Sequence, residues 1–323
     1  MSQRSILIIS KPDDSHAISV VNHLKEHGVS RIEFLDLTDI GKNVKLSVTI
    51  TLDQVVAETA DGRKLLFSDF DKIWWRRIFR SAPPTKNIDL ARYRDAEFRS
   101  FIEQIQFAIP GKKLFPKCTS DLRKRSKIQQ LIMARAVGLD IPVTVIGNSG
   151  NAITEVLTDD IAVKPLNTPT FRIEHPTGSK SIDIPTRKSN ILQVVQNNVS
   201  ITSTPIIVQD YLEKKCELRI TIVGEQVFAC AIDTQAHIEG KVDGRFAHDV
   251  AKHWVQKLPI NIEKKLLRFM NSMNLDFACV DMIITPDDRY IFLEANLNGQ
   301  WLWIEEKTGM KISKAIADQL MYG

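Results

Sequence analysis

The sequence predicts an α/β domain followed by two α+β parts, and three observations favour this organisation. The chain opens with a strand, a helix and a strand in "SILIIS", "HAISVVNHLKEHGV" and "RIEFLDL", and a β-α-β opening favours a parallel sheet. Its middle carries short strands around a short helix. Its last third combines longer apolar strands with one amphipathic helix. We therefore expect an N-terminal domain over residues 1–115, a central part over 116–204 and a C-terminal part over 205–323.

Composition excludes several function classes. The chain has 323 residues, 43% apolar and 25% charged, with a net charge of +4, which argues against a dedicated nucleic-acid binder. No run approaches the ~20 apolar residues of a membrane span, and no signal peptide opens the chain. We expect a cytoplasmic protein that binds neither nucleic acid nor membrane. Its scattered cysteines disfavour a zinc site, and the lack of GxGxxG disfavours a dinucleotide site.

Strand and helix patterns continue through the first two parts. "KLSVTITLD" and "LLFSDFDKIWWRRI" each predict a strand, and "ARYRDAEFRSFIEQIQFAI" predicts a long helix ended by Pro110 and Gly111. "SDLRKRSKIQQLIMARAVGL" predicts a second long helix, stopped by Gly138 before the strand "IPVTVIGNS". Short strands follow in "DIAVKPL", "TFRIEHP" and "KSIDIP", with a helix near residues 188–197 and a linker in "QNNVSITSTP".

The last part is rich in strands. "PIIVQDYL", "CELRITIVG" and "QVFACAID" predict strands, with a hairpin turn at Gly224 and Glu225. The helix "IEKKLLRFMNSMNL" has a single apolar face, which indicates core packing. That face consists of Ile262, Leu266, Phe269, Met270 and Met273.

An acidic hairpin near the C-terminus carries the first chemical signal. In "DFACVDMIITPDDRYIFLEANLNG" the turn "PDDR" joins two apolar strands. If Thr285 pairs with Tyr290, Asp281 pairs with Glu294, and alternation adds Asn296 to their face, with ~5 Å between the paired Cβ atoms. A bound cation would offset the two carboxylates, and these hard oxygen ligands suit Mg²⁺. On these residues alone, an exposed edge hairpin with its polar face in water explains the pattern equally well.

Asp281 together with "EAN" resembles the magnesium-binding residues of the ATP-grasp superfamily. Lys127 in "RKRSKIQQLIMARAVGLDIPVT" and Lys164 in "IAVKPL" resemble the two lysines that bind ATP in that family. The resemblance implies an ATP-grasp fold with an N-terminal α/β domain, and central and C-terminal α+β subdomains that hold ATP between two sheets. It also implies ATP and two magnesium ions, held by Asp281, Glu294 and Asn296.

The segment "IIVQDYLEKKCELRITIVG" resembles the connection between the two ATP-grasp subdomains. The resemblance implies that Glu217 binds the ribose and that Arg219 faces the phosphates and stabilises an acyl phosphate, with Lys164 as its catalytic partner. It places the adenine pocket at four consecutive residues, Gln209, Asp210, Tyr211 and Leu212. Phosphoryl transfer to a carboxylate depends on charge neutralisation and positioning, which lysines, an arginine and magnesium supply.

Along nearly its whole length the chain resembles the microviridin-type (graspetide) ligases that macrocyclise ribosomal peptides. "WWRR" and "FLEANLNGQWLWIEEKTGMKISKAIADQL" carry this resemblance. It implies a precursor peptide with a leader segment as substrate, an Asp or Glu side chain joined to Thr, Ser or Lys, and a homodimer. In "VDGRFAHD", Gly244 stands where the family commonly has the tryptophan of Asp-Trp-Arg, which leaves Asp243 and Arg245 as candidate substrate contacts. We expect His248 and His253 at the surface.

Several candidate residues also have a structural explanation. The run around Lys127 is typical of a solvated basic helix face, whereas Lys164 lies on an apolar strand and needs an anionic partner. Arg76 and Arg77 either bind substrate carboxylates or phosphate, or pair with the acids of "FSDFDK". Asn298 is expected near the phosphates or the substrate.

Two other functions stay open from sequence. One is a RimK-like ligase that adds amino acids to a protein or a small molecule, like the glutamate ligases that modify a ribosomal protein. The other is a nucleotide-binding protein without catalytic activity. Loss of magnesium-dependent turnover on substitution of Asp281 or Glu294 separates the enzymes from the second alternative.

Overall fold

The structure is a computed structural model, and it describes most of the chain. The described residues are 4–78, 85, 87–117, 119–157, 159–167, 170–175, 178–196, 198–237 and 240–323. Within these ranges the strands form five sheets. None of the helices described there is long and apolar enough to cross a membrane.

The N-terminal part contains a parallel sheet and a small antiparallel sheet. Its elements are β1 (Ser5–Ile9), α1 (Ser15–Glu26), β2 (Arg31–Leu35), β3 (Lys45–Thr49), β4 (Gln54–Glu58), β5 (Lys64–Leu66), β6 (Lys72–Trp75), α2 (Ile88–Ile105) and β7 (Leu114–Phe115). The sheets have the strand orders β2-β1-β6-β7 and β3-β4-β5. Because β1 pairs in parallel with both β2 and β6, the predicted β-α-β opening is confirmed.

The single strand predicted for "LLFSDFDKIWWRRI" is wrong. The segment forms β5 and β6 in two different sheets, with a 3₁₀ turn over Phe67–Asp69 between them. Phe67 and Phe70 are both buried in one core. A continuous strand would send side chains three positions apart to opposite faces, so the chain has to turn between these rings.

The central part is built around a four-stranded antiparallel sheet. Its elements are α3 (Leu122–Arg125), α4 (Lys127–Ala136), β8 (Thr144–Gly147), α5 (Gly150–Val156), β9 (Asp160–Pro165), β10 (Thr170–His175), β11 (Gly178–Asp183), β12 (Arg187–Asn190), α6 (Ile191–Gln196), α7 (Asn198–Ser203) and β13 (Ile206–Asp210). The sheet has the order β12-β9-β13-β8, and β10 and β11 form a separate hairpin.

Two sequence predictions are wrong in the central part. The helix predicted across "SDLRKRSKIQQLIMARAVGL" breaks at Ser126, whose side chain accepts a hydrogen bond from the Gln129 N–H and caps α4. The predicted linker contains α7, because Ile201 is buried with the core of the central sheet. The helix predicted near residues 188–197 is confirmed as α6, although it begins only at Ile191, after β12.

The C-terminal part is a five-stranded antiparallel sheet between two helical layers. Its elements are β14 (Cys216–Val223), β15 (Gln226–Ile232), β16 (His253–Val255), α8 (Ile260–Ser272), β17 (Phe277–Ile284), β18 (Tyr290–Asn296), α9 (Leu302–Thr308) and α10 (Ile312–Tyr322). The strand order is β16-β15-β14-β17-β18. The predicted apolar face of α8 is confirmed, since all five of its residues are buried.

The two faces of this sheet have different surroundings. On β14, Leu218, Ile220 and Ile222 pack in the core with α8. Alternation therefore turns Glu217 and Arg219 to the opposite face. Part of that opposite face is apolar and packs with α1, α9 and α10. The rest carries the charged residues described below.

We predict that Leu266→Ala destabilises the fold strongly. Leu266 has no exposed surface in the core between α8 and the sheet, so the truncation leaves a cavity and lowers the free energy of unfolding by about 2–5 kcal/mol. Urea unfolding measures the change. The matched control is Lys264→Ala on the exposed side of α8, expected within about 0.5 kcal/mol of wild type. A loss below 1 kcal/mol for Leu266→Ala would contradict the packing described.

Candidate active site

The acidic hairpin pairs as predicted at its carboxylates but not at its turn. Asp281 of β17 lies directly opposite Glu294 of β18, which is confirmed. The predicted pairing of Thr285 with Tyr290 is wrong, because Tyr290 pairs with Ile284. A β-bulge at Leu293 adds one residue to β18 and restores the register before Glu294. The two carboxylates therefore face each other because of the bulge.

Two neighbouring carboxylates at this level of the sheet are flanked by a cation on each side. Arg219 lies opposite Asp281, and its Nη1 is 2.8 Å from Oδ1 and 3.0 Å from Oδ2 of that carboxylate. Lys127 Nζ lies 3.0 Å from Glu294 Oε2. The order across the sheet is Lys127, Glu294, Asp281 and Arg219, which we call the charge row. Lys127 and Arg219 therefore offset the two carboxylates in this structure, and magnesium at the pair stays a prediction.

Both carboxylates keep a side open to a ligand. The side chains of Asp281 and Glu294 are 33% and 40% exposed. The surrounding protein raises the pKa of Asp281 by desolvation, against the opposing effect of Arg219. Desolvation acts the same way on Glu294, but Lys127, Lys164 and Arg219 together lower the pKa of that carboxyl. Each carboxylate of the charge row is therefore paired with a cation and still accessible to a ligand.

Asn296 follows Glu294 at the end of β18 and is exposed. Its Oδ1 accepts a hydrogen bond of 3.1 Å from the Asn298 backbone N–H, and an amide oxygen has a second lone pair. Among the described residues, no three His, Cys, Asp or Glu side chains form a group that could hold a metal. Two carboxylates and one amide fit Mg²⁺, which keeps waters and takes substrate phosphate oxygens as further ligands.

Gln130 holds Lys127 at the charge row, and sequence reasoning missed it. Its buried side chain bonds both backbone groups of Ala295, with Nε2 donating to the carbonyl over 2.9 Å and Oε1 accepting from the N–H over 3.0 Å. The Gln130 side chain thus makes the two hydrogen bonds that a neighbouring strand would make to Ala295, and it fixes α4 against β18. Gln130 lies three residues after Lys127, and residues three apart share a helix face. This spacing was the sequence signal that could have identified Gln130.

Lys164 reaches the site from the central sheet. It lies on β9, and its Nζ donates to Gln209 Oε1 over 2.8 Å. Gln209 is buried and donates in turn to Thr144 Oγ1 over 3.0 Å. Desolvation lowers the pKa of Lys164, and the negative charge of Glu294 opposes that change. The Gln209 side chain therefore positions Lys164 in this structure. The adenine contact expected of Gln209 stays a prediction.

The other three residues of the predicted adenine pocket lie at the end of β13. The N–H of Asp210 donates to the Val143 carbonyl over 3.1 Å, and the N–H of Tyr211 donates to the backbone carbonyl of Asp160 over 2.9 Å. Leu212 is half-buried. These bonds fix the backbone of the segment between the two sheets. Its contact with adenine stays a prediction.

Glu217 lies in a small charged cluster. Its carboxylate binds Lys214 Nζ and lies 3.7 Å from His248 Nε2. Desolvation acts to raise its pKa, but His248 and Lys214 together lower it. Gly244 lies over the carboxylate, since a Cβ built there would be 2.0 Å from Glu217 Oε2. A tryptophan at position 244 would therefore displace Glu217 in this arrangement.

His248 and His253, which were expected at the surface, are both half-buried. The rings of His248 and His253 both pack on Trp303, with centroid distances of 5.3 and 5.5 Å. His248 bridges Trp303 and Glu217 and so belongs to the site. Its sequence context gave no pattern that indicates this contact.

The structure does not bring Asp243 into the charge row. Its buried carboxylate accepts a 2.9 Å bond from the Thr186 N–H and a 2.9 Å bond from Arg245 Nε. A direct substrate contact for Asp243 is therefore disfavoured by its burial, and its observed role is to fix the loop. The Arg245 side chain is 53% exposed, and its substrate contact stays a prediction.

Arg76 does not fit either of its predicted roles. Its side chain is 1% exposed and lies 3.5 Å from Asp14, not from the acids of "FSDFDK". Its Nη1 donates to Asn298 Oδ1 over 3.2 Å. Arg77 is exposed beyond the end of β6. Substrate contacts of Arg77 and Asn298 stay predictions.

The arrangement defines a class of protein. The C-terminal sheet and α4 present two carboxylates with a lysine and an arginine, and the central sheet contributes a half-buried lysine, as in an ATP-grasp nucleotide site. The model of the RimK-like ATP-grasp domain matches residues 123–320. The chain belongs to the RimK-like ATP-grasp family. The predicted fold class and superfamily are confirmed.

Solved structures with similar folds extend over the whole chain. An ATP-grasp ligase from Chryseobacterium gregarium, described as RiPP-associated and in complex with ADP and a leader and core peptide, is 26% identical with a TM-score of 0.84, covering 98% of this chain and 96% of that chain. The macrocyclase MdnC from Microcystis aeruginosa, bound with precursor peptide MdnA, is 26% identical with a TM-score of 0.83, covering 99% and 100%. No curated protein sequence matches the chain significantly.

We predict that Gly299→Ala disturbs the loop after β18. A Cβ at Gly299 would lie 2.3 Å from Cys279 Cβ and 3.0 Å from Arg219 Nη2. The loop has to move away from β17, and the free energy of unfolding falls by about 1–3 kcal/mol. Urea unfolding measures the loss. The matched control is Gly111→Ala, where a Cβ meets nothing within 4 Å; equal stability of the two variants would contradict the close contact.

Proposed function

We propose that this protein is an ATP-dependent ligase that macrocyclises a ribosomal precursor peptide. An Asp or Glu side chain of the peptide is activated as an acyl phosphate and joined to a Thr or Ser hydroxyl or a Lys amine. Two structures at 26% identity support this proposal, because their partners are leader, core and precursor peptides and they cover at least 98% of this chain. A precursor peptide with a leader segment is the corresponding partner here.

The charge row is the observation that carries the proposal. Transfer of the γ-phosphoryl group of ATP to a carboxylate breaks the bond to ADP and forms an acyl phosphate. A hydroxyl or amine then attacks the acyl carbon, loses its proton and releases phosphate. Neither step needs a nucleophile from the protein, and both develop negative charge that Lys127, Lys164 and Arg219 are suited to offset.

Asp281, Glu294 and Asn296 would hold magnesium, which supplies charge neutralisation on the phosphates when bound. In the described arrangement Arg219 and Lys127 pair with the same carboxylates. Metal binding to the carboxylates leaves these two cations available for anionic oxygens of ATP and the acyl phosphate. Glu217 with Lys214 and His248 offers a polar cluster for the ribose, and residues 209–212 offer backbone groups for adenine.

The family name favours one other candidate. Because the chain matches the RimK-like ATP-grasp domain, the second candidate is a ligase that adds amino acids to a protein or small molecule. It uses the same charge row and differs only in the acceptor.

The homodimer stays a prediction. Sedimentation equilibrium measures the oligomeric state.

Product mass separates the candidates. The protein is incubated with ATP, Mg²⁺ and the short peptide encoded beside its gene, or with single amino acids instead. A macrocyclase removes one water from the peptide for each bond formed and releases one ADP. An increase in substrate mass by amino-acid residues would contradict macrocyclisation and favour the RimK-like alternative. Unchanged peptide and amino acids without ADP release would contradict both.

Neutral variants of the carboxylates test the role of the charge row. We expect Asp281→Asn and Glu294→Gln to lower magnesium-dependent ADP release by about 100-fold or more, because each removes a hard charged ligand and leaves Arg219 or Lys127 unpaired. Asp288→Asn, in the exposed turn of the same hairpin, is the matched control and retains activity. Thermal unfolding checks that the variants are folded. Full turnover by folded Asp281→Asn would contradict the proposal.

A further inference from the structure

Arg76 is a buried charge at the junction between the N-terminal sheet and the C-terminal sheet. It follows β6, and only 1% of its side chain is exposed. Within the described part of the chain, its Nε and Nη2 atoms have no hydrogen-bond partner. A buried guanidinium with incomplete pairing is costly. The one side-chain hydrogen bond that the structure gives Arg76, from Nη1 to Asn298, therefore needs an explanation.

Two groups fix the position of the Arg76 guanidinium. Asp14, which caps α1, lies 3.5 Å from its Nε. The Trp301 ring lies 4.8 Å away in a cation–π contact. Trp301 is itself held, because its Nε1 donates to Ser313 Oγ over 3.1 Å. The guanidinium is therefore a rigid donor.

That donor reaches the end of the magnesium-binding strand through two hydrogen bonds. Arg76 Nη1 donates to Asn298 Oδ1 over 3.2 Å. The backbone N–H of Asn298 donates to Asn296 Oδ1 over 3.1 Å. The first bond joins residues 222 positions apart in the chain. The N-terminal sheet is thus connected to a predicted metal ligand through a single intervening residue.

We propose that Arg76 is a positioning residue for the magnesium site and acts through Asn298. By holding the Asn298 side chain, Arg76 fixes the backbone N–H that orients the Asn296 amide. The second lone pair of the amide oxygen stays directed to the metal. This inference rests on the proposed function for the assignment of Asn296, and it goes further by making the N-terminal domain part of the metal site.

The magnesium dependence of nucleotide binding tests this role. Fluorescent ADP is titrated into the full-length protein at a series of Mg²⁺ concentrations, and the Mg²⁺ midpoint of tight binding is read. Arg76→Met and Asn298→Ala are each expected to raise the midpoint about 10-fold or more, with ADP affinity in EDTA unchanged. Because both remove the same connection, the double variant shifts the midpoint no further than the larger single effect.

Two controls make the outcomes distinct. Arg31→Met removes a cation that also lies over an aromatic ring, 4.4 Å from Phe70, but away from the hairpin, and it leaves the midpoint unchanged. Asn298 is exposed, so Asn298→Ala carries the test if Arg76→Met fails to fold. Wild-type binding with an unshifted midpoint in Asn298→Ala, or additive shifts in the double variant, would overturn the positioning role alone. Absence of ADP binding by the wild type would contradict the proposed function as well.

Discussion

The charge row across β18, β17 and β14 is the constraint on which the rest of the site depends. Strand pairing brings Asp281 against Glu294 on one side and Arg219 on the other. Like charges at this spacing destabilise a sheet unless cations flank them. Lys127 and Arg219 flank them here, so the row is stable in itself and still open to a ligand. Two carboxylates flanked by cations are suited to exchange their protein partners for a metal ion, while the cations bind phosphates.

The other parts of the molecule act by holding this row in place. Gln130 fixes α4, and so Lys127, against the edge strand. Gly299 allows the following loop to lie against Cys279 and Arg219. Gln209 directs Lys164 from the central sheet. The charged face is therefore assembled from distant segments, while the opposite face of the same sheet is covered by α8 together with Leu131 and Ala134 of α4.

Sequence reasoning succeeded where local periodicity decides the structure. The apolar face of α8 and the β-α-β opening follow from residue spacing within one element. The acidic pair was found although the turn register was wrong, because the bulge at Leu293 compensated for the error. That agreement depended on an irregularity that no alternation pattern contains.

Most of the missed features involve contacts between residues far apart in the chain, and the cap at Ser126 is the local exception. The cap at Ser126 splits a segment whose composition favours one continuous helix. The cluster of Glu217, Lys214 and His248 depends on a loop folding back over β14. Arg76 meets Asn298 across most of the chain. Such contacts leave no periodic signal, so only the folded arrangement identifies them.

Localising a bound metal tests the central claim most directly. Crystals grown with ADP and Mn²⁺ in place of Mg²⁺ give an anomalous signal that marks the ion independently of the protein density. The account predicts a peak in direct coordination with the carboxylates of Asp281 and Glu294. A fully occupied metal bound to the nucleotide but away from both carboxylates would contradict it.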